Sequence, residues 1–584
     1  MARLLNAATA ACIGVLLAAC SGDSDSPSDP GNGNGNGNGN PAAVNSVSIT
    51  PAIASVVIGR TTQLTATTKD AAGVVLTGRS ITWATSAATI ATVDANGLVT
   101  GVSAGTATMS ATSEGKTGST TVTVSAAVNP VAAIAIAPAL DTLEAYDVQQ
   151  MMAVLRDAAG NVLTGREIQW TVSSAAIATI DAQGKLTGVD RGTVTVTASS
   201  EGKTASVTRV VVIKYRSITA GTMHACDIAS GGIVWCWGLN GNEGRIGSSQ
   251  LGAEVKSAVP VKLPGDLRFS QISTYGRHTC GITAAGKAYC WGYNGWGGLG
   301  DGSSAGMSYT PVAVMGGIVF RSVSTGADHS CGVSTDNRAF CWGNNDWRQL
   351  GKGTVYTSTP TLVSETIAFA KITAGTGFTC GITTGGDTYC WGANQIGQIG
   401  DGGKISYGNV FVAAPQKVVG NNTFQSVSLG NQYACAIAVG GQGYCWGSNN
   451  TKLGSGNQSG DTSTPAPMIG GHSFQQISAG YGHACGVTSA QAVYCWGSNS
   501  SGQLGSAILN GTGTPSRAGN LLALEVAASG IGTGSGSHSC AISQDRLTVW
   551  CWGRNDAGQL GNGATSVGPA PNPSPAIVVG QKPH

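Results

Sequence analysis

Gln271-Ile-Ser-Thr-Tyr-Gly276-Arg-His278-Thr-Cys280-Gly-Ile-Thr-Ala-Ala-Gly286-Lys-Ala-Tyr289-Cys290-Trp291-Gly292-Tyr-Asn294 is one of seven copies of a single unit. An apolar strand comes first. A second strand carries His278, Cys280 and Ile282, and a tight turn at Ala285-Gly286 leads into a third with Tyr289, Cys290 and Trp291. Thr310-Pro311-Val-Ala-Val314 reads as a fourth. The Cys-Trp-Gly step begins at Cys236, Cys290, Cys341, Cys390, Cys445, Cys495 and Cys551, at intervals of 54, 51, 49, 55, 50 and 56 residues. A proline opens the fourth strand of each copy, where no ladder donor is needed: Pro260, Pro311, Pro360, Pro415, Pro467, Pro515 and Pro575. Four short strands in each of seven copies predict a seven-bladed β-propeller, whose radial closure leaves few exposed edges. Such scaffolds present a broad face and more often bind than catalyse.

The loop after the third strand reads Trp496-Gly-Ser-Asn-Ser-Ser-Gly-Gln-Leu-Gly505 in one copy and Trp552-Gly-Arg-Asn-Asp-Ala-Gly-Gln-Leu-Gly561 in another. With the Gly-x-x-His step before the second strand, it resembles the regulator of chromosome condensation repeat. The resemblance runs from about Tyr215 to Gly580 and implies a propeller over residues 215–580. It also implies a structural His, bonded to backbone within its blade. The Trp of Cys-Trp-Gly is read as apolar filler between blades, and the following Asn as a brace for its loop.

Cysteine is where the chain departs from nuclear members of that family. Of sixteen, Cys12 and Cys20 fall in the leader, and the rest form pairs 226/236, 280/290, 331/341, 380/390, 435/445, 485/495 and 540/551. In a hairpin centred on the turn, Cys280 lies opposite Cys290, within reach of a disulfide. The expected bonds therefore join Cys226 to Cys236, Cys280 to Cys290, Cys331 to Cys341, Cys380 to Cys390, Cys435 to Cys445, Cys485 to Cys495 and Cys540 to Cys551. The last pair is one residue longer, which predicts a bulge. Metal is the rival reading, because His278 and Cys280 share a strand face. Phe378 and Tyr433 replace that His in two copies, and three ligands make no closed zinc site, so no metal is expected.

Between Val44 and Ile213 a different period, 87 residues, takes over: Asp70-Ala71-Ala72-Gly73 returns as Asp157-Ala158-Ala159-Gly160, and Trp83 as Trp170. Short alternating runs with turns every eight to twelve residues predict two β-sandwiches, over residues 44–126 and 130–213. Ala91-Thr-Val-Asp-Ala-Asn-Gly97-Leu-Val-Thr-Gly101 resembles the signature of group 2 bacterial immunoglobulin-like domains, which implies stalk or adhesin modules. Trp83 and Trp170 are expected in the sandwich cores; a sugar-binding role is the other one open to them. The fold class is therefore all-β, two immunoglobulin-like sandwiches followed by a propeller.

The beginning of the chain reads as an export signal, residues 1–19. Arg3 precedes an apolar stretch too short to span a bilayer. Leu17-Ala18-Ala19-Cys20 resembles a bacterial lipobox, which implies lipidation of Cys20 and, with Ser21 following, an outer-membrane address. Residues 20–43, with five Gly-Asn steps, form a tether with nothing apolar to bury, and reach about 25 Å as a coil. Net charge is +2 and only 10% of residues are charged, which gives no basic footprint for nucleic acid.

Departures from the repeat mark the candidate binding residues. Trp296 and Trp347 hold the same loop position in adjacent copies, and Ile396 holds it in the next. With Tyr293, Asp346 and Arg348 they make a candidate patch of interface-type residues, unless both indoles fold back over neighbouring loops. The expected function is a lipid-anchored surface binding or adhesion protein with the propeller as its head, a monomer binding protein or glycan without cofactor. The alternatives are an exchange factor for guanine nucleotides, which the family resemblance implies, and an exported enzyme inhibitor. No catalytic motif is present, and groups repeated seven times make no catalytic centre, so no enzyme is expected.

Overall fold

The computed structural model describes residues 42–580 apart from 140, 250–255, 305, 404, 409, 457–459, 531–536 and 568–570. The candidate lipidation site Cys20, the signal segment and nearly all the tether lie outside the described residues. The chain divides into two compact units, residues 1–129 and 130–584.

The first unit is a sandwich. Ser46–Thr50, Thr65–Lys69 and Val75–Leu76 form one sheet; Ile53–Val57, Lys116–Ser125, Gly105–Ser113 and Thr82–Thr85 form another. Alternation along Gly105–Ser113 turns Ala107, Met109 and Ala111 into the core. The second sandwich repeats this order and belongs to the second unit. Neither tryptophan is enclosed as expected. Trp83 is half-buried against the Asn96-Gly97 turn, where a Cβ on Gly97 would stand 2.8 Å from the indole. Trp170 rests on Gly184 in the same way. The glycine turn covers one side of each ring and leaves the rest half open.

Seven blades follow, each of consecutive antiparallel strands. Blade two comprises Phe269–Thr274, His278–Thr283, Ala288–Tyr293 and Met307–Ala313. Blades six and seven share the strand Thr512–Ala528: its first part pairs with Ala492–Gly497 and its last with His538–Ser543. First strands lie side by side around the axis, second strands are almost wholly buried, and fourth strands face outward. All seven cysteine pairs are directly opposed and disulfide-bonded.

Two local expectations need correction. In blade seven Pro575 directly precedes the fourth strand, but in the other six blades the repeated proline sits inside it, at a register shift: in blade two Cys290 pairs with Val312 and Gly292 with Ser308, and Pro311 lies between. An outer edge strand tolerates the missing donor there. The same register puts Ala466 opposite Cys445, so the equivalent residue of blade five is Pro465, not Pro467. The extra residue of the last cysteine pair is absorbed by the turn, where Ser543 N bonds Thr548 O, and the ladder stays in register. A turn accepts an extra residue without breaking ladder bonds, so no bulge forms.

Candidate binding face

Blade contacts decide which surfaces are free. Each Cys-Trp-Gly tryptophan is fully buried, and six of the seven, all but Trp291, donate the indole N–H to a loop carbonyl of the preceding blade. Trp342 Nε1 reaches Gly298 O at 2.9 Å, Trp391 reaches Gln349 O at 2.9 Å, Trp446 reaches Gln398 O at 3.0 Å and Trp552 reaches Gln503 O at 2.8 Å. Trp237 of blade one bonds Gln559 O of blade seven at 3.0 Å, so the same contact closes the ring. The tryptophan is thus filler and hydrogen-bond donor at once.

Four of the five buried repeat histidines, His224, His278, His329 and His483, bond a hydroxyl of the next blade and not backbone within their own. His278 Nε2 meets Ser330 Oγ at 2.8 Å, His329 meets Thr379 Oγ1 at 2.9 Å and His483 meets Ser539 Oγ at 2.9 Å. These hydroxyls donate in turn to Gly298 O, Gln349 O and Gln503 O. A hydroxyl has one proton, so the histidine Nε2 carries the hydrogen of the first bond. Where blade five offers Ala434 and no hydroxyl, blade four carries Phe378; where blade six offers Ala484, blade five carries Tyr433, whose hydroxyl reaches His483 O at 2.8 Å. The two departures that argued against metal are therefore paired with departures next door.

Burial holds these imidazoles neutral: it lowers His278 to about 4 and His329 and His483 to about 3. Below the ordinary histidine pKa of 6.5 the unfolded chain binds more protons, so stability is lost as pH falls from 6.5 toward the folded values. His329→Phe with Thr379→Ala copies the Phe378/Ala434 pair. It is expected to fold at pH 7 and to reduce the acid slope by up to about 1.4 kcal/mol per pH unit. Urea unfolding between pH 4 and 7 checks this; an unchanged slope rejects the account.

The two ends of the ring differ. On one, the immunoglobulin-like domain packs on blade one: Ser230 Oγ donates to Glu144 Oε1 at 2.8 Å, Lys214 Nζ lies 3.6 Å from Glu144, and a Cβ on Gly231 would stand 2.7 Å from the Tyr146 ring. Ser230 and Gly231 belong to the turn between second and third strands. The loops joining first to second strands, and third to fourth, emerge at the opposite end. There Tyr275 fills the axis, its hydroxyl 3.1 Å from Thr376 Oγ1 of blade four. In six blades the loop asparagine accepts a backbone N–H, as when Asn499 Oδ1 takes Leu504 N at 2.8 Å.

The candidate patch residues all stand on this loop face, but they do not merge. Trp296 is half-buried, edge-on to Tyr356 of the next blade with ring centres 6.0 Å apart. Trp347 leans on Gly377, where a Cβ would lie 3.1 Å from its ring. Ile396 is half-buried one blade on. Arg277 stacks 3.8 Å from the Tyr293 ring centre and pairs with Glu243 at 3.0 Å and Asp328 at 3.1 Å, which ties blades one, two and three. Asp346 is exposed and accepts from Asn344 Nδ2 at 2.8 Å, and Arg348 lies 5.2 Å from the Phe411 ring centre. Each aromatic thus covers the loop ahead of it. A polar groove over blades five to seven, beside Lys452, escaped the sequence reading; the signal was a lysine where four sister blades carry glutamine.

The family described as Bacterial Ig-like domain (group 2) matches residues 43–124 and 130–211. Regulator of chromosome condensation (RCC1) repeats match residues 269–297, 320–346, 369–398 and 474–503, and again 336–382 and 385–437. The chain is similar to the Ultraviolet-B receptor UVR8 of Arabidopsis thaliana, 28% identical over 143 residues, 24% of this chain and 32% of that protein. It is also similar to Ice-binding protein 1 of Shewanella frigidimarina, 31% identical over 188 residues, 32% of this chain and 20% of that protein. The matches span about a third or less of those relatives. Human WBSCR16 shares the fold, at TM-score 0.50 and 19% identity, over 59% of this chain and 94% of that one. The chain therefore carries two immunoglobulin-like domains and a propeller of condensation-regulator repeats.

Proposed function

We propose that this protein is an exported, lipid-anchored binding protein whose recognition surface is the loop face of the propeller. The carrying observation is the position of the second immunoglobulin-like domain, whose contacts with blade one lie at the turn end and not at the loop end. Seven disulfides and two bacterial immunoglobulin-like domains support export, because such bonds persist in oxidising compartments. Cys20 takes the lipid, and the sandwiches and tether hold the head away from the membrane. The same face reads as binding and not catalytic, for its recurring groups are consumed in holding blades together.

Trp296 and Trp347 make the aromatic side of this face, each half-buried over the loop it covers, with Ile396 one blade on. Trp296→Ala with Trp347→Ala is expected to weaken capture of cell-surface material by the mature protein at least ~10-fold, the scale of interface tryptophans. Circular dichroism should not change. Unchanged capture would remove the aromatic side from the binding surface.

A further inference from the structure

We propose that the groove over blades five to seven binds an acidic saccharide, with the Lys452 ammonium taking the carboxylate of a uronic acid ring. The groove encloses about 630 Å³, within the range of ligand sites. Asn431, Asn450 and Lys452 come from blade five, Tyr481 and Asn510 from blade six, and Ser537 from blade seven.

Lys452 breaks the repeat at a position with a structural duty. In four blades that position is Gln349, Gln398, Gln503 or Gln559, and its side-chain oxygen accepts the N–H two residues earlier at 2.8–2.9 Å. Lysine has no acceptor, so blade five forgoes this brace. Its loop is also shorter: Trp446 to Gly454 is eight steps, whereas Trp496 to Gly505 is nine. Thr451 adopts φ 68°, a region costly to a β-branched residue, where Gly397 and Gly502 stand in sister blades at φ 75° and 77°.

These departures place a cation at the groove wall that, among the described residues, no carboxylate contacts directly. Lys452 is 8% exposed, and its Nζ lies 5.6 Å from the Tyr433 ring centre. Among the described residues its ammonium makes no hydrogen bond or ion pair. Burial lowers its pKa, and Asp461 pulls it back up. A carboxylate entering the groove would supply the missing charge-assisted bond.

The remaining wall selects the rest of the ligand. None of the described lining residues is acidic, and Leu509 is the one aliphatic side chain, so no pocket awaits the apolar anchor of a peptide. Amides and hydroxyls offer donors and acceptors side by side, which suits vicinal sugar hydroxyls. Tyr481 adds a half-buried ring for a sugar face. One cation fits one carboxylate, not the phosphate run of a nucleic acid.

The inference rests on the loop face being the binding surface, but not on its aromatic side. Calorimetry on the full mature chain should show binding of an oligogalacturonate of three to six units, and at least ~10-fold weaker binding of the neutral galactose oligomer. Lys452→Gln, which restores the sister-blade residue, should lose at least ~10-fold of the acidic affinity while the unfolding midpoint holds or rises. Asn510→Asp, on the exposed wall, should weaken binding by charge repulsion and serves if the first variant misfolds. Trp296→Ala with Trp347→Ala should leave oligogalacturonate affinity within about twofold, so failure of the aromatic side and failure of the groove read separately. No heat with the acidic oligomer, equal binding of the neutral one, or full affinity in both groove variants overturns the proposal.

Discussion

Full reduction of the folded protein is expected to lower its thermal midpoint by about 10 °C or more. Each disulfide closes a loop of ten or eleven residues in sequence separation. Chain entropy assigns such a loop up to about 2–3 kcal/mol, less where the hairpin already forms in the unfolded chain. Seven such bonds, one per blade, act on one closed ring, so even half of that value adds to about 10 kcal/mol. Every bonded cysteine is fully buried between the second and third strands of a blade. Reduction should therefore need denaturant or heat to begin. Calorimetry with and without reductant under partially denaturing conditions checks this; an unshifted midpoint after verified thiol release would show that packing alone holds the blades.

Trp391→Ala should cost about 3–5 kcal/mol. The indole is fully buried between blades three and four, beside Phe369 with ring centres 5.8 Å apart. Its removal opens a cavity at a blade interface and takes one of two donors from Gln349 O, the other being Thr379. Trp391→Phe retains most of the contact area and should cost about half as much. Denaturant midpoints of the two variants provide the test. A loss below about 1 kcal/mol for the alanine variant would mean the blades pack independently of this contact.

The histidine exchange proposed above tests the same interface in the opposite direction. It predicts that a conspicuous repeated residue can be removed with little harm, provided its partner goes with it. The closing seam between blades seven and one carries a different device. Ala527 stands there where other first strands use a hydroxyl, as when Ser478 Oγ accepts Ala528 N at 3.0 Å. Glu525 accepts from Ser217 Oγ at 3.0 Å instead, and burial raises its pKa to about 7.

Blade count, cysteine pairing and the two sandwiches were legible in the sequence because each is local. A hairpin of ten residues has one centred register, and that register alone opposes Cys280 to Cys290. A repeat of strands with a turn every few residues likewise states its own architecture. Trp296 and Trp347 were legible as departures from the repeat, though not as residues that each lean over the next loop. What the histidines bond, how blade seven meets blade one, and which end of the ring the second immunoglobulin-like domain packs against were decided only by tertiary structure. Those contacts join residues about fifty, and at the seam 322, positions apart. No local period records them, since the partner across a blade interface is set by how whole sheets stack around the axis. Lys452 shows the limit most plainly: one substitution in a short loop is visible to the eye, but only the stacked blades turn it into a cation at the wall of a groove.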